Sequence, residues 1–411
     1  MPEKRKISEF LEILVVISLA ACSNASPTRV PFSPVTLSPT LLPTKTPVPT
    51  GIEPVKSQCF EVLPALPSEV ALPGILVLSK PDGLSLLDFS QQTRREIAGL
   101  INAVSVSPNG KWLSYTFIAE DVDEKIVIES ADGKIQTEIP TRQGWLIFDK
   151  VLWLDNERLW FPVFPEIRKG EIAPTVIINP FTGEQKQLSS AYPGIKRYQF
   201  GFATAPGLHF QYSSVVYHPS LNLVIYPEEG ESGWYITLWD KQSGKVLARI
   251  PEGGLYGHLP MWFPDGSRFV VVARWNWDRP REWFEVSQDG GLRQLTHFED
   301  SYADFDIGQY ASLSPNGRYL AFGLSPTEDG GVTSLKELLI LNMETLETIN
   351  TCITLDYPAP VWSSDSQYLA VLTRRSTNKP SGIAVLDIRQ GWAAKISEEP
   401  KTHPMGWLES P

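Results

Sequence analysis

Side chains suited to contact a charged or planar ligand are concentrated in two segments. One is the run Arg274-Trp275-Asn276-Trp277-Asp278-Arg279-Pro280-Arg281, and the other contains Asp300, Asp304 and Asp306. Arg and Trp are enriched among the residues that contribute most to binding, whereas carboxylates supply oxygen ligands or a general acid and base. The two segments therefore favour either a contact surface or a site for acid–base chemistry.

Aromatic side chains are concentrated in a third segment, residues 189–213, which includes Tyr198 and Phe202. Aromatic residues on loops are typical of contact surfaces. The alternative is that these loops are solvated or pack on themselves. The predicted ligand-binding set is Arg274, Trp275, Trp277, Arg279, Asp300, Asp304, Asp306, Tyr198 and Phe202.

Motifs of the common catalytic and cofactor-binding classes are absent from the sequence. The five histidines lack zinc-site spacing, and there is no nucleophile elbow, phosphate loop or dinucleotide fingerprint. The three Asp residues also lack the spacing of a known calcium loop. The net charge of -11 argues against a nucleic-acid partner. We predict no cofactor, no metal and no nucleic-acid partner. No motif supports catalysis; the alternative is an active site assembled from segments that are distant in the sequence.

The elements that must position these candidates repeat along the chain. The 35 Pro and 29 Gly argue against long helices, and a turn motif recurs before an apolar run. Its copies include Ser107-Pro108-Asn109-Gly110, Phe263-Pro264-Asp265-Gly266, Ser314-Pro315-Asn316-Gly317 and Ser363-Ser364-Asp365-Ser366. Equivalent apolar positions are 106, 153, 217, 262, 313, 362 and 407, with steps of 47, 64, 45, 51, 49 and 45. Such periods indicate a propeller.

The predicted fold is an all-β, seven-bladed β-propeller with four antiparallel strands per blade, over residues 74–411. The last copy stops near Trp407 after an innermost strand. The segments 74–79, 84–89 and 94–97 supply three further strands, so the N- and C-terminal strands share one blade. Six or eight blades are the alternatives if the 64-residue step contains something else.

The repeat resembles that of TolB-type β-propellers. The resemblance rests on the Ser-Pro-Asp/Asn-Gly copies and on stretches such as Leu292-Arg293-Gln294-Leu295-Thr296, and covers about residues 74–411. It implies a fold and not a function, because the matching residues belong to turns and cores. The Asp and Asn of the turns are expected to shape the turn rather than bind metal. The repeat tryptophans, namely Trp153, Trp262, Trp362 and Trp407, are expected to pack between blades rather than stack on a sugar.

The N-terminus reads as an export signal with a lipid anchor. Residues 1–21 combine basic residues with a short apolar run, and Leu19-Ala20-Ala21-Cys22 resembles the bacterial lipoprotein lipobox. The resemblance implies lipidation of Cys22; the alternative is an ordinary signal peptide with an incidental Cys. Residues 22–56 read as a disordered Pro/Thr/Ser-rich tether, with a folded lead-in as the alternative, and residues 57–73 form a lead-in segment.

With Cys22 lipidated, Cys59 and Cys352 remain, in a compartment that permits disulfides. Cys59 precedes the propeller, and Cys352 is expected to follow the outer strand of a blade near the closure. A disulfide between them would attach the lead-in segment to the ring. Two buried free thiols are the alternative.

The function that these observations favour is a non-catalytic binding or scaffolding lipoprotein. It would be anchored in the cell membrane on the extracytoplasmic side, at the cell surface or in the periplasm. Its partner would be a protein or a cell-envelope polysaccharide. The alternative is a propeller-type glycan-active hydrolase or lyase that uses loop carboxylates; a component of a Tol system rests on fold analogy alone.

Overall fold

The computed structural model describes residues 55–119, 122–140, 151–162, 175–188, 215–229, 233–251, 260–302, 305–326, 336–356, 359–374 and 382–411. Residues 1–54, which include Cys22, lie outside these ranges. In the described ranges, no helix is long and apolar enough to span a membrane.

The repeat motif forms a tight turn between two antiparallel strands. At the copy around Ser107, the Ser hydroxyl donates to Asn109 Oδ1 (2.7 Å) and accepts from the N–H of Trp112 (2.9 Å). Gly110 follows with a φ of +70°, a left-handed conformation that Gly adopts without a steric penalty. The Ser, Asn or Asp side chains of the copies at Ser314 and Ser363 bond in the same way. These residues shape the turn, as predicted.

Nearly all regular structure in the described residues is strand, with one 3-10 turn at Phe298–Asp300. The strands are β1 (Lys56–Ser57), β2 (Glu61–Leu63), β3 (Ile75–Lys80), β4 (Gly83–Asp88), β5 (Thr93–Ala98), β6 (Leu100–Val106), β7 (Trp112–Ala119), β8 (Val122–Ser130), β9 (Gln136–Pro140), β10 (Leu152–Trp153), β11 (Leu159–Pro162), β12 (Thr175–Ile178), β13 (Gln185–Leu188), β14 (Val216–Tyr217), β15 (Leu223–Glu229), β16 (Trp234–Asp240), β17 (Lys245–Pro251), β18 (Met261–Trp262), β19 (Arg268–Ala273), β20 (Glu282–Ser287), β21 (Leu292–Gln294), β22 (Phe305–Leu313), β23 (Tyr319–Pro326), β24 (Lys336–Asn342), β25 (Thr348–Leu355), β26 (Val361–Trp362), β27 (Tyr368–Thr373), β28 (Gly382–Asp387), β29 (Trp392–Ser397) and β30 (His403–Leu408).

The strands pair as successive four-stranded antiparallel units. Separate sheets contain β6–β9, β10–β13, β14–β17 and β18–β21 in chain order, and another has the order β30-β3-β4-β5. The units β22–β25 and β26–β29 are joined into a larger sheet through the bridge between Leu355 and Thr373. Seven four-stranded units are therefore present in the described part of the chain.

Buried hydrophobic clusters fill the junctions between consecutive units. Ile128 of β8 packs in one cluster with Phe161 of β11, and every other junction has a cluster of the same kind. The cycle closes where Ala370 of β27 shares a cluster with Leu76 and Trp407. The described sheets thus form a ring of four-stranded blades, which confirms the predicted all-β propeller fold.

The two ends of the propeller meet in one blade, as predicted. β30 is the innermost strand of the closing blade and pairs antiparallel with β3, where Leu76 lies opposite Trp407. The indole N–H of Trp407 also donates to the carbonyl of Pro73 (2.6 Å). Trp362 and Trp407 are buried, and Trp153 and Trp262 pack against the clusters, so the repeat tryptophans occupy blade junctions.

The segment before the propeller crosses the outer edges of two blades, and we call residues 55–73 the strap. β1 pairs parallel with β25, and β2 pairs parallel with β29. Between these pairings a disulfide joins Cys59 to Cys352, with the Cα atoms 4.8 Å apart. The expectation that Cys352 follows the outer strand is wrong, because it lies within β25. The strap covers two strand edges that would otherwise be open to pairing with other chains.

Candidate contact surface at the Arg-Trp loop

The blade architecture separates the connections onto two faces of the ring. Within each antiparallel blade, the turns from first to second strand and from third to fourth strand lie on one face, the turn face. The connections from second to third strand, and from one blade to the next, lie on the opposite face, the loop face. Residues 274–281, the Arg-Trp loop, connect β19 to β20 and therefore belong to the loop face.

The Arg-Trp loop is closed by bonds within itself. Asn276 Oδ1 accepts the N–H of Asp278 (3.1 Å), and the carbonyl of Asn276 accepts the N–H of Arg279 (3.3 Å). The Arg274 guanidinium donates across the loop to the carbonyl of Arg279 (2.9 Å). This Asn-centred turn gives the loop a defined shape without contribution from a ligand.

The two tryptophans of the loop anchor it to neighbouring strands. The indole N–H of Trp275 donates to Gln294 of β21, and its ring lies edge-on to Phe284 at 5.3 Å between centroids. Trp277 packs edge-on against Tyr235 of the preceding blade at 5.5 Å. Both tryptophans are half-buried, so part of each side chain stays accessible to solvent.

A glycine makes the contact of Trp277 with the preceding blade possible. A Cβ on Gly233 would lie 2.6 Å from Trp277 Cη2, and Gly233 has a φ of +141°. Any larger residue there would displace the indole ring. The loop therefore bridges two blades, and its position depends on how closely they pack.

The two guanidinium groups of Arg274 and Arg279 differ in whether they form an ion pair. Arg279 pairs with Glu299 (3.2 Å) while its side chain stays 56% exposed. Burial, together with the positive charge of Arg281, lowers the pKa of the half-buried Arg274. In the described ranges, Arg274 belongs to none of the ion pairs. Arg274 is thus a partly desolvated cation that Arg281 repels.

The predicted acidic residues do not assemble into a site in the described ranges. Asp300 is exposed in the 3-10 turn, and Asp306 pairs with Lys336 of β24 (3.0 Å). Asp304, Tyr198 and Phe202 lie outside the described residues. Among the residues that are described, no group of three His, Cys, Asp or Glu is placed to hold a metal ion.

The carboxyl group of Glu282, which was not among the predicted site residues, holds the 3-10 turn that contacts the loop. Glu282 is 2% exposed, and burial raises its pKa to about 8. It accepts bonds from the Thr296 hydroxyl and from the N–H of Glu299 (3.0 Å), the residue that pairs with Arg279. The stretch Leu292-Arg293-Gln294-Leu295-Thr296, which carries part of the resemblance, is strand only as far as Gln294. Glu282 follows the loop directly in sequence, and that adjacency was the only available signal.

Comparison with known proteins gives structural similarity without sequence similarity. No protein-family model matches the sequence, and no curated protein matches it. Among solved structures, the chain is similar to TolB from Acinetobacter baumannii, with 13% identity, 82% of each chain covered and a TM-score of 0.43.

Two other propeller-containing structures show a similar degree of likeness. One is the β-propeller domain of the Trilobed protease from Pyrococcus furiosus (13% identity, 79% of this chain, 94% of that chain, TM-score 0.48). The other is an oligogalacturonate lyase in complex with manganese (12% identity, 80% and 86% covered, TM-score 0.48). At such identity the likeness concerns fold alone, and the fold assigned here rests on the blade pairing and the closure of the ring. In fold, the chain is a β-propeller similar to TolB.

Proposed function

We propose that this protein is a membrane-anchored extracytoplasmic lipoprotein whose propeller binds an acidic protein or an acidic cell-envelope polysaccharide without catalysing a reaction. The binding surface is the Arg-Trp loop on the loop face. The anchor is the lipid on Cys22, and residues 23–54, which precede the strap, form the tether.

The observation that carries the proposal is the state of Arg274. Its guanidinium is half-buried, lies near Arg281 and has no carboxylate partner in the described ranges. Holding a cation in this environment costs free energy, which a bound anion would recover. A preformed cationic site is also distinctive in a chain with a net charge of -11.

The surroundings of Arg274 favour a polymer over a small ion. Trp275 and Trp277 lie half-buried in the same loop as the cation, and Arg279 adds an exposed guanidinium there. Aromatic and Arg side chains held by a rigid backbone lose little conformational entropy on binding. A chain that alternates carboxylates with flat or apolar groups would contact both kinds of side chain.

The carboxylates of the described loop face do not favour the catalytic alternative. Asp300 is exposed and Asp306 is engaged by Lys336, so neither occupies the desolvated setting that would make it a general acid. Glu282 is desolvated, but its carboxyl is used to hold the 3-10 turn.

The membrane part of the proposal rests on the sequence. A cysteine carrying two acyl chains satisfies the two-signal requirement for stable anchoring. A tether of 32 residues would reach roughly 100 Å if fully extended, which would let the ring reach partners beyond the bilayer surface.

Binding is tested with the full chain in detergent and two acidic probes, poly-L-glutamate and polygalacturonate. We expect saturable binding to one of them that weakens with added salt. Substitution Arg274→Gln should weaken it about tenfold, the effect of losing one well-formed charge contact. Arg318→Gln is the matched control, because Arg318 lies on the turn face and pairs with Glu344 (3.4 Å). Equal losses in the two variants, or no binding of either probe by the unaltered protein, would contradict the proposal.

Lipidation is tested separately by labelling cells with an alkyne fatty acid. We expect label on the full chain and none on the Cys22→Ser variant, which should leave the membrane fraction. Label that persists in the variant would contradict the anchor and leave the binding surface standing.

A further inference from the structure

A pocket opens beneath the strap at the junction between β25 and the β26–β29 blade. Its volume is about 240 Å³, and it lies toward the loop face, where β27 ends and β28 begins. Nothing in the Arg-Trp loop lines it, so it is separate from the contact surface described above.

A bulge in β25 creates the space for this pocket. Asn350 lies opposite Leu339, but the next pair is Thr354 with Glu337, so three residues of β25 are set against one of β24. At the centre of the bulge Cys352 has a φ of +59°, a left-handed conformation that is unfavourable for a residue with a Cβ. A bulge diverts its strand locally and re-aims side chains.

The strap closes the pocket from outside. The disulfide attaches Cys59 to the bulge, and the next strap residues continue into β2, which pairs with β29. Val62 of β2 thereby becomes part of the pocket lining while 64% of its surface stays exposed. The pocket exists because the strap lies across a bulged strand edge.

The lining combines short apolar side chains with charged ones. Val62, Ile353, Ala384 and Ala393 contribute short aliphatic surfaces. Lys395 pairs with Glu398, so their charges offset each other. Arg374 also lines the pocket, is half-buried and is in none of the ion pairs of the described residues.

The backbone at Arg374 is held in place. Its N–H donates to the carbonyl of Thr354 (3.1 Å), which ties the end of β27 to the end of β25. The position from which the guanidinium projects is therefore fixed by two blades, while the guanidinium itself has no described partner.

We propose that this pocket binds a monocarboxylate with a short branched aliphatic tail. The carboxylate pairs with Arg374, and the tail lies against Val62, Ile353 and Ala393. The volume is below the range of roughly 300–1,000 Å³ typical of small-molecule sites, so it suits one side-chain-sized group and not a polymer. Two sources offer this chemistry: a free short-chain acid and the C-terminal residue of a peptide.

Titration of the full chain in detergent, followed by NMR or calorimetry, tests the proposal with isovalerate and N-acetyl-leucine, and with isovaleramide as the uncharged control. We expect millimolar binding of at least one carboxylate and at least about tenfold weaker binding of the amide, because a charge-assisted bond to Arg is lost. Preference for isovalerate indicates a free acid, and preference for N-acetyl-leucine indicates a peptide terminus.

Two variants locate the site. Arg374→Gln should weaken carboxylate binding about tenfold, whereas Arg318→Gln on the turn face should leave it unchanged. Val62→Ser alters an exposed side chain, so folding is preserved, and binding should weaken a few-fold through loss of apolar contact. The proposal is overturned if neither carboxylate binds, if the amide binds as well as the acids, or if Arg374→Gln has no effect while the variant melts like the unaltered protein.

Discussion

The turn face and the loop face of the ring are built in different ways. On the turn face, the first turn of one blade bonds to the first turn of the next with atoms that the repeat itself supplies. The N–H of Asn109 donates to Asn156 Oδ1 (2.9 Å), and the N–H of Asn316 donates to Ser366 Oγ (3.1 Å). Further contacts of this kind are Arg158 to the carbonyl of Pro219, His218 to the carbonyl of Gly266, and Glu409 to the carbonyl of Gly110.

On the loop face, the contacts between blades come from residues outside the repeat. Trp277 reaches Tyr235 of the preceding blade, and Glu282 holds the turn that carries Glu299. The comparison indicates that the repeat residues of the turn face stabilise the ring, whereas the loop face, where we propose binding, depends on individual residues. Changes on the turn face should therefore alter the free energy of unfolding, and changes on the loop face should alter binding with little effect on stability.

The largest expected effect comes from the disulfide that joins the strap to β25 at the outer edge of the ring. Removing the disulfide with Cys59→Ser and Cys352→Ser should lower the free energy of unfolding by about 2–5 kcal/mol, because the bond closes a sequence separation of 293 residues. Denaturant unfolding measures the loss. Resistance of the unaltered protein to free-thiol labelling is the control, and a variant as stable as the parent would show that strap pairing alone suffices.

A pair of glycine substitutions on the turn face separates crowding from backbone strain. Gly290 and Gly183 both have positive φ, but a Cβ on Gly290 would lie 2.3 Å from the carbonyl oxygen of Leu247, whereas Gly183 faces open space. Gly290→Ala should cost about 2–4 kcal/mol, and Gly183→Ala about 1 kcal/mol. Equal losses in thermal or denaturant unfolding would show that the blades do not pack closely at this junction.

Glu282 predicts a pH dependence that originates on the loop face. Its pKa in the folded protein, about 8, lies above the ordinary value, so the folded state keeps a proton that the unfolded chain releases. This contribution is fully present below about pH 4.5 and is lost as pH rises to about 8, with a slope of at most about 1.4 kcal/mol per pH unit. In Glu282→Gln, the free energy of unfolding should fall less steeply between pH 5 and 8. The slope should decrease by up to about 1.4 kcal/mol per pH unit. A profile that is unchanged in the variant would assign the pH dependence to other groups.

The smallest expected effect on stability is that of Arg274→Gln. The guanidinium makes one bond within the loop, to the Arg279 carbonyl, and is partly desolvated. These two effects oppose each other, so its removal should change the free energy of unfolding by no more than about 0.5 kcal/mol. Equilibrium unfolding of this variant, measured alongside its binding of the acidic probes, tests whether the loop face is separable from the fold. A large decrease in the free energy of unfolding would show that the loop face also stabilises the fold.

Much of the fold was predictable because its causes are local. The Ser-Pro-Asn-Gly turns close through bonds within six residues, as at Ser107 and Trp112, and flanking β-branched and aromatic runs favour strands. The placement of Trp407 opposite Leu76 also followed from the sequence, because a repeat that stops after one strand needs its partners from the other terminus.

The candidate site was predictable only in outline. Arg274 and Trp277 were selected by residue type, and both lie on the loop face. Their environments were not predictable, because the partners of Trp277, Tyr235 and Gly233, lie about 40 residues earlier in the chain and meet it only when two blades pack. The role of Glu282 was not predictable for the same reason, because its burial depends on how residues 295–302 fold against it.

The amino-acid sequence by itself determined the repeating turn, the strand order within each blade and the meeting of the two ends. These features depend on φ preferences, hydrogen bonds and apolar alternation over a few residues. The tertiary structure decided the state of Arg274, the burial of Glu282 and the pocket beneath the strap. Each of these depends on desolvation and charge proximity between segments tens to hundreds of residues apart, which no local pattern encodes.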